Sequence, residues 1–275
     1  MDKEAIIDYY RRFNEDERLK TAYGILEEAH TRKLILKNIA GPAASIFDIG
    51  GGTGPYSLWL GSLGYSVHYS DIVPGHVQLF KERLGASEKN VSCAVQDARQ
   101  LSYNDSCADL IILNGPLYHL HERAERLQVL LECKRILKPN GKLLAFTIGR
   151  LAGLLYALSS GKVFDEEYYE MAVREVTTGV RKNRSSSHLT FDIAYFHTQQ
   201  EIEAEMLDAG FDEVSTAGVL GPAWNTPDLE SVITDEKKRE RLLDVAEMME
   251  IYPLLGPKMM STGVKSIHPI TKNPA

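Results

Sequence analysis

The chain is short of cysteine, of basic charge and of long apolar runs. Its three cysteines, Cys93, Cys107 and Cys133, are odd in number and fit no metal-ligand spacing. That excludes a disulfide scaffold and predicts reduced thiols with no metal. Basic residues number 31 against 38 acidic, a net charge of −7, which argues against a broad basic face gripping a nucleic-acid backbone. The longest near-continuous apolar stretch, Leu151 to Leu158, is far short of a membrane span, and Met1-Asp-Lys-Glu does not read as a secretory signal. These absences predict a cytoplasmic chain with neither a membrane nor a nucleic acid as partner. There is no internal repeat and no low-complexity tract. What remains, 44% hydrophobic and 25% charged over 275 residues, suits one globular domain with insertions.

Hydrophobic period organises the chain. Leu19, Tyr23, Leu26, His30 and Leu34 recur every three or four residues, so residues 1–40 read as a helical cap ended by Gly41-Pro42. From Ser45 short apolar runs alternate with helical ones. Strands are expected at 45–49, 65–70, 91–95, 110–113 and 142–148, and helices from 56 to near Gly64, at 77–84 and at 123–137. Such alternation predicts a mostly parallel sheet with helices on both faces over residues 41–150. The alternation then breaks at an insertion, 151–190. Thr198-Gln-Gln-Glu201 is a capping box opening a helix at 199–209, and strands are expected at 211–220 and 259–267. Residues 191–275 thus complete the sheet around a second insertion at 222–257.

Open α/β sheets bind ligands beyond the carboxyl ends of their strands. Gly50-x-Gly52-x-Gly54 lies at such an end, where glycine permits a tight turn and close approach of a ligand. Asp48 precedes it, and Asp71 and Asp97 end the next two strands. Three successive carboxylates beside one crevice are rare by chance. The third glycine is one residue early for a dinucleotide fingerprint, and no basic residue occupies the loop, which favours a cationic, phosphate-free nucleoside over a pyrophosphate.

Ile46-Phe-Asp-Ile-Gly-Gly-Gly-Thr-Gly54 resembles the first motif of class I S-adenosylmethionine-dependent methyltransferases. Asp71, Gln96-Asp97-Ala98, Leu110-Ile-Ile-Leu-Asn114 and Arg135-Ile-Leu-Lys-Pro-Asn-Gly-Lys142 are similar to the later motifs, in order. Asn114-Gly-Pro-Leu-Tyr-His-Leu120 and Ala194-Tyr-Phe-His197 resemble a bacterial group of such enzymes, many without an assigned substrate. The resemblance implies an α/β Rossmann-like, doubly wound, mostly parallel seven-stranded sheet, with helical insertions forming a lid. It implies that Gly50, Gly52 and Gly54 line the methionine part of S-adenosylmethionine, with Asp48 orienting the loop or reaching the amino group. Asp71 would bind the ribose hydroxyls. Asp97 and Ala98 would meet the adenine, sandwiched by Ile72 and Leu113, and Asn114 would adjoin the sulfonium. Gly51 stands where many relatives carry Ala or Cys, a departure expected to be tolerated.

Methyl transfer from a sulfonium needs alignment of the acceptor and, for some acceptors, a base. His119 follows the fourth strand and is a candidate general base; the competing reading is a helix cap or packing. Tyr118 would touch the sulfonium or acceptor, or pack in the core. Tyr9 and Tyr10 precede the first long helix. In related enzymes the N-terminal helix often closes over the cofactor, where a tyrosine face would attract the sulfonium; plain amphipathic packing competes. Arg18 reads as a cofactor carboxylate partner or a surface ion pair. His197 and Trp224 are further candidates for the acceptor pocket, which both insertions would enclose. Arg181, Lys182 and Arg184 form a basic cluster, read as a solvated loop or a site for an anionic acceptor.

The expected activity is methyl transfer to a small molecule by a monomer or homodimer. An RNA or protein methyltransferase is the alternative, and an NAD-dependent reductase or a non-catalytic nucleoside-binding module is less favoured.

Overall fold

The computed structural model describes residues 3–13, 15–85, 89–182 and 193–267. Arg184 of the basic cluster and the tail from residue 269 lie outside them. The helical cap is three helices rather than one: α1 (Lys3–Arg12), α2 (Glu15–Lys20) and α3 (Ala22–Asn38). The break has a local cause. Thr21 is extended and its side chain accepts from the amide of Gly24, so it starts α3 as an N-cap.

From residue 45 the expected alternation is present. β1 (Ser45–Ile49), α4 (Pro55–Ser62), β2 (Ser66–Asp71), α5 (Pro74–Arg83), β3 (Val91–Val95), β4 (Ala108–Asn114), α6 (Arg123–Ile136) and β5 (Leu137–Gly149) follow in turn. The first insertion holds α7 (Ala152–Ser159), α8 (Glu166–Thr178) and β6 (Val180–Lys182). Then come β7 (Ile193–His197), α9 (Gln199–Asp208), β8 (Asp212–Gly218), α10 (Leu229–Val232), α11 (Glu236–Met248) and β9 (Lys258–Val264). The capping box of α9 is present in both directions between Thr198 and Glu201.

Strands β3-β2-β1-β4-β5 run parallel, β9 adds antiparallel to β5, and β8 adds antiparallel to β9. These are the seven strands expected. Two more, the antiparallel pair β6 and β7, join β5 through Ile148–Gly149 beside Phe196–His197.

Pleating divides the core. Ile111 and Leu113 of β4 face one apolar cluster with Phe47, Leu143, Val129, Ile136, Ile202 and Met206. Leu110 and Ile112 face the other, with Ile46, Leu144, Leu26, Ile35, Leu60 and Ala246. Helices α6 and α9 thus cover one face, and α3, α4 and α11 the other. No described helix is long and apolar enough to cross a membrane.

Candidate active site

The loops after β1, β2, β3 and β4 all emerge at one edge of the sheet and border a single cleft, at the edge where open α/β sheets hold their ligands. Its floor is Gly50, Gly51, Gly52, Asp71, Ile72, Gln96, Asp97, Ala98 and Asn114. Its cover is Ile6, Tyr10, Glu15, Arg18 and Leu19, from the first two helices. Arg83 of α5 latches α2 down through Asp16, and its guanidinium also donates to the carbonyl of Thr53 in the glycine loop. No described residue of 151–190 or 222–257 lines the cleft, so the cover expected of those insertions is supplied by the N-terminal helices. The first insertion packs on itself instead, through Ala157, Tyr168, Met171 and Ala172.

Gly50 and Gly52 have positive φ, +73° and +58°. A Cβ on Gly50 would meet the Pro116 ring at 2.5 Å, so the glycine loop packs against the Gly-Pro turn after β4. A Cβ on Gly52 would meet nothing nearer than Glu15 Cγ at 4.0 Å and would stand in the cleft. Gly54 is elsewhere. Its Cβ direction points into the Phe80 ring, so it serves helix packing and does not line the cleft. Gly51 lines the cleft as well. A Cβ there would lie 2.8 Å from both Asp48 Oδ2 and the Tyr69 ring, so alanine is not free.

Asp48 is fully buried beneath the loop and outside the cleft lining. Ser57 donates to its Oδ2 at 2.6 Å, while Oδ1 has no partner among the described residues. Burial pushes its carboxyl up to about 7, against the Ser57 hydrogen bond and with help from the charge of Asp71. Of the two roles implied for Asp48, its placement suits orienting the loop and not reaching a cofactor amino group.

Asp71 closes β2 with its carboxylate in the cleft. Oδ2 accepts from Gly52 N–H at 2.9 Å and Oδ1 from Val73 N–H at 2.8 Å, and His76 Nδ1 lies 3.3 Å away. The other acids lining the cleft are matched to arginines. Asp97 pairs with Arg99 at 2.7 Å, and Glu15 with Arg18 at 2.6 Å. Burial raises the Asp97 carboxyl, but hydrogen bonds and charge from Arg99 outweigh it and hold it below its usual value. The rim is therefore of mixed charge rather than acidic, and Asp71 is held by two main-chain amides.

Over Asp71 sits a polar pair. Tyr10 Oη lies 2.9 Å from His119 Nε2, and the Tyr10 ring meets the rings of His76 and His119 edge-on. Burial pushes the phenol well above its usual value, so it keeps its proton. Burial also pushes His119 down to about 4, partly opposed by the charge of Asp71, so its imidazole is neutral near pH 7. With the phenol donating, Nε2 accepts and the ring proton sits on Nδ1. Tyr118 lines the cleft beside this pair. The turn carrying both residues, Pro116–His119, is pinned from behind. Buried Arg126 donates to the carbonyls of Leu120 and His121 and pairs with Glu205 at 2.6 Å.

Besides Asp48 and Gly54, three more expected site residues lie away from the cleft. Leu113 faces the α6 side of the sheet, because alternation along β4 turns it from the ligand edge. His197 is fully buried with Nε2 3.5 Å from Glu205. Trp224 lines a separate groove with Leu155, Leu158 and Leu255. Of the basic cluster, Arg181 is buried and paired with Glu175. Conversely, Glu27 and Lys258 were not anticipated. Lys258 lines the cleft and pairs at 2.6 Å with Glu27, which also binds Arg18 at 3.0 Å. A lone basic residue opening the apolar strand Met259-Met260 was the available signal.

Residues 47–145 match the family described as a methyltransferase domain. The protein is a class I S-adenosylmethionine-dependent methyltransferase. The methyltransferase is 28% identical over 184 residues to the ubiquinone/menaquinone biosynthesis C-methyltransferase UbiE of Acidiphilium cryptum, covering 66% of this chain and 71% of that one. Its fold is similar to an S-adenosylmethionine-dependent methyltransferase of Methanosarcina mazei, with TM-score 0.59, 22% identity, and 85% and 98% of the two chains covered. It is also similar to a possible histamine N-methyltransferase of Thermotoga maritima, with TM-score 0.61, 18% identity, and 94% and 99% covered. Its cofactor is S-adenosylmethionine. The cleft of the methyltransferase fits that cofactor: the open face of Gly52 leaves room for a ligand against the loop, and Asp71 presents a carboxylate beside it.

Proposed function

We propose that the methyltransferase alkylates a carbon of a small molecule, in a cleft closed by α1 and α2. Gly50, Gly52 and Asn114 would border the methionine end of the cofactor, Asp71 the ribose, and Ile72, Asp97 and Ala98 the base. Enclosure supports a small acceptor, since the cleft is covered by the chain itself. When bound, S-adenosylmethionine supplies a methyl already activated on a sulfonium.

The likeness to a C-methyltransferase of Acidiphilium carries the choice of carbon, and the Tyr10–His119 pair in the cleft is compatible with it. An imidazole pushed down to about 4 is a poor base for an ordinary hydroxyl. It suffices for a proton on a carbon that has just gained a methyl, because rearomatisation or return to an enol makes that proton acidic. The methyl would come from the cofactor's sulfonium, held beside the acceptor carbon by the cleft residues named above. The carbon's proton then passes to Tyr10 Oη as Tyr10 gives its own proton to His119 Nε2, 2.9 Å away. Asp71 stabilises the imidazolium formed. C-methylation, the activity for which the Acidiphilium relative is named, supports this reading.

The test has two stages. Calorimetry with S-adenosylhomocysteine should give one site per chain. A labelled-methyl screen over phenols, naphthols, enolic ketones, amines and thiols should then place label on carbon. Label only on nitrogen, oxygen or sulfur would refute carbon as the acceptor. Label only on RNA or protein would refute a small acceptor.

A further inference from the structure

One ammonium in the cleft has no place in the chemistry above. Lys258 opens β9, which runs antiparallel to β5, so the start of β9 lies at the same edge of the sheet as the carboxyl ends of the parallel strands. Its Nζ stands 5.2 Å from the centre of the Phe146 ring, and Phe146 is the register partner of Asn114. Lys258 is therefore at the methyl-transfer end, and it lines the cleft while 9% exposed. A lysine so buried is rare unless paired. Among the described residues its one hydrogen-bond acceptor is Glu27 Oε1 at 2.6 Å, so two of its three protons are unspent. Glu27 does not belong to Lys258 alone, because its other oxygen takes Arg18 at 3.0 Å. Burial raises the Glu27 carboxyl, but Lys258 and Arg18 together hold it at about 2, so it stays charged and shares its charge between two cations.

We propose that Lys258 anchors the acceptor by binding an oxyanion on an aromatic or enolic molecule, and so selects anionic over cationic acceptors. This rests on the reading of the cleft as the site of methyl transfer to carbon. The two fit chemically: an anionic oxygen conjugated to the acceptor carbon makes that carbon nucleophilic, and an ammonium on the oxygen holds it in the reactive form. No bond to Lys258 is made or broken. Its remaining protons are in a water-poor site, where charge-assisted hydrogen bonds are strongest.

The experiment uses probes of one ring and opposite charge. With the full chain saturated in S-adenosylhomocysteine, the affinities of 2-naphthoate and 2-naphthylmethylammonium are measured at pH 7.5. The wild type should prefer the anion by about tenfold or more, Lys258→Met should lose that preference, and Lys258→Arg should keep most of it. Glu27→Gln should strengthen anion binding several-fold, by leaving the ammonium unshared; this second variant holds the test if Lys258→Met does not fold. Equal affinities in the wild type, an anion preference unchanged in Lys258→Met, or tighter binding of the cation would overturn the proposal. Loss of S-adenosylhomocysteine binding in Lys258→Met would overturn it too, by making Lys258 a cofactor residue. Failure of the wild type to bind S-adenosylhomocysteine would instead strike the functional reading beneath it.

Discussion

Tyr10 and His119, 109 positions apart in the chain, meet across a 2.9 Å hydrogen bond that joins the N-terminal cover to the turn after β4. The bond joins a phenol that burial keeps protonated to an imidazole that burial keeps neutral. Charge state, geometry and closure of the cleft are thus coupled at one contact.

Replacing Tyr10 with phenylalanine preserves the ring packing and removes the donor. His119 Nε2 then loses this partner in the interior, which costs roughly 1 kcal/mol of stability. Turnover should fall by one to two orders of magnitude (~1.4–2.8 kcal/mol of barrier), while the affinity for S-adenosylhomocysteine changes by less than about threefold. Steady-state kinetics beside calorimetry checks the split. A variant with unaltered turnover rules out the relay.

The depressed His119 pKa makes stability depend on pH. Between its ordinary value of 6.5 and about 4, the unfolded chain binds a proton at this position that the folded chain refuses. Stability therefore rises with pH through that window and is lost on acidification from 6.5 toward 4, by up to about 3 kcal/mol from this group. Urea midpoints at pH 7.5 and 4.5 should converge in His119→Asn relative to the wild type. Parallel pH curves for the two proteins would contradict the assignment.

Gly51→Ala should destabilise by about 1–3 kcal/mol, the usual cost of overpacking a core. The Tyr69 ring cannot give way easily. It stacks on Phe80 at 4.0 Å, and its hydroxyl donates to the carbonyl of Gly52 at 2.5 Å. Combining Gly51→Ala with Tyr69→Val should cost less than the sum of the two single changes. A double-mutant cycle by urea unfolding measures the difference.

Asp71→Ala should weaken S-adenosylhomocysteine binding by roughly 1.5–3 kcal/mol through lost ribose hydrogen bonds. The same change releases the amides of Gly52 and Val73, so some stability is lost as well. Calorimetry on the folded variant separates the two effects. Wild-type affinity there would remove Asp71 from the site.

Much of the cleft floor was legible in local patterns. Short apolar runs ending in glycine or aspartate announce parallel strands and their ligand edge, and Gly50, Gly52, Asp71, Ile72, Asp97, Ala98 and Asn114 all line the cleft. The errors have particular causes. Leu113 was placed by the family resemblance, and strand alternation turned it to the other face. His197 and Trp224 were placed by residue type, and burial against Glu205 and a separate groove took them away.

The sequence by itself determined the order of strands and helices, the glycine turn and the carboxylates at the strand ends, because those depend on residues close together in the chain. Only the tertiary structure decided that the first two helices cover the cleft, that Tyr10 meets His119, and that Glu27 is shared by Arg18 and Lys258. Those contacts bridge up to 231 positions, and nothing in the local pattern at either end specifies the partner. Their geometry is set by how the N-terminal helices and the antiparallel last strand dock on a sheet whose own residues lie between them.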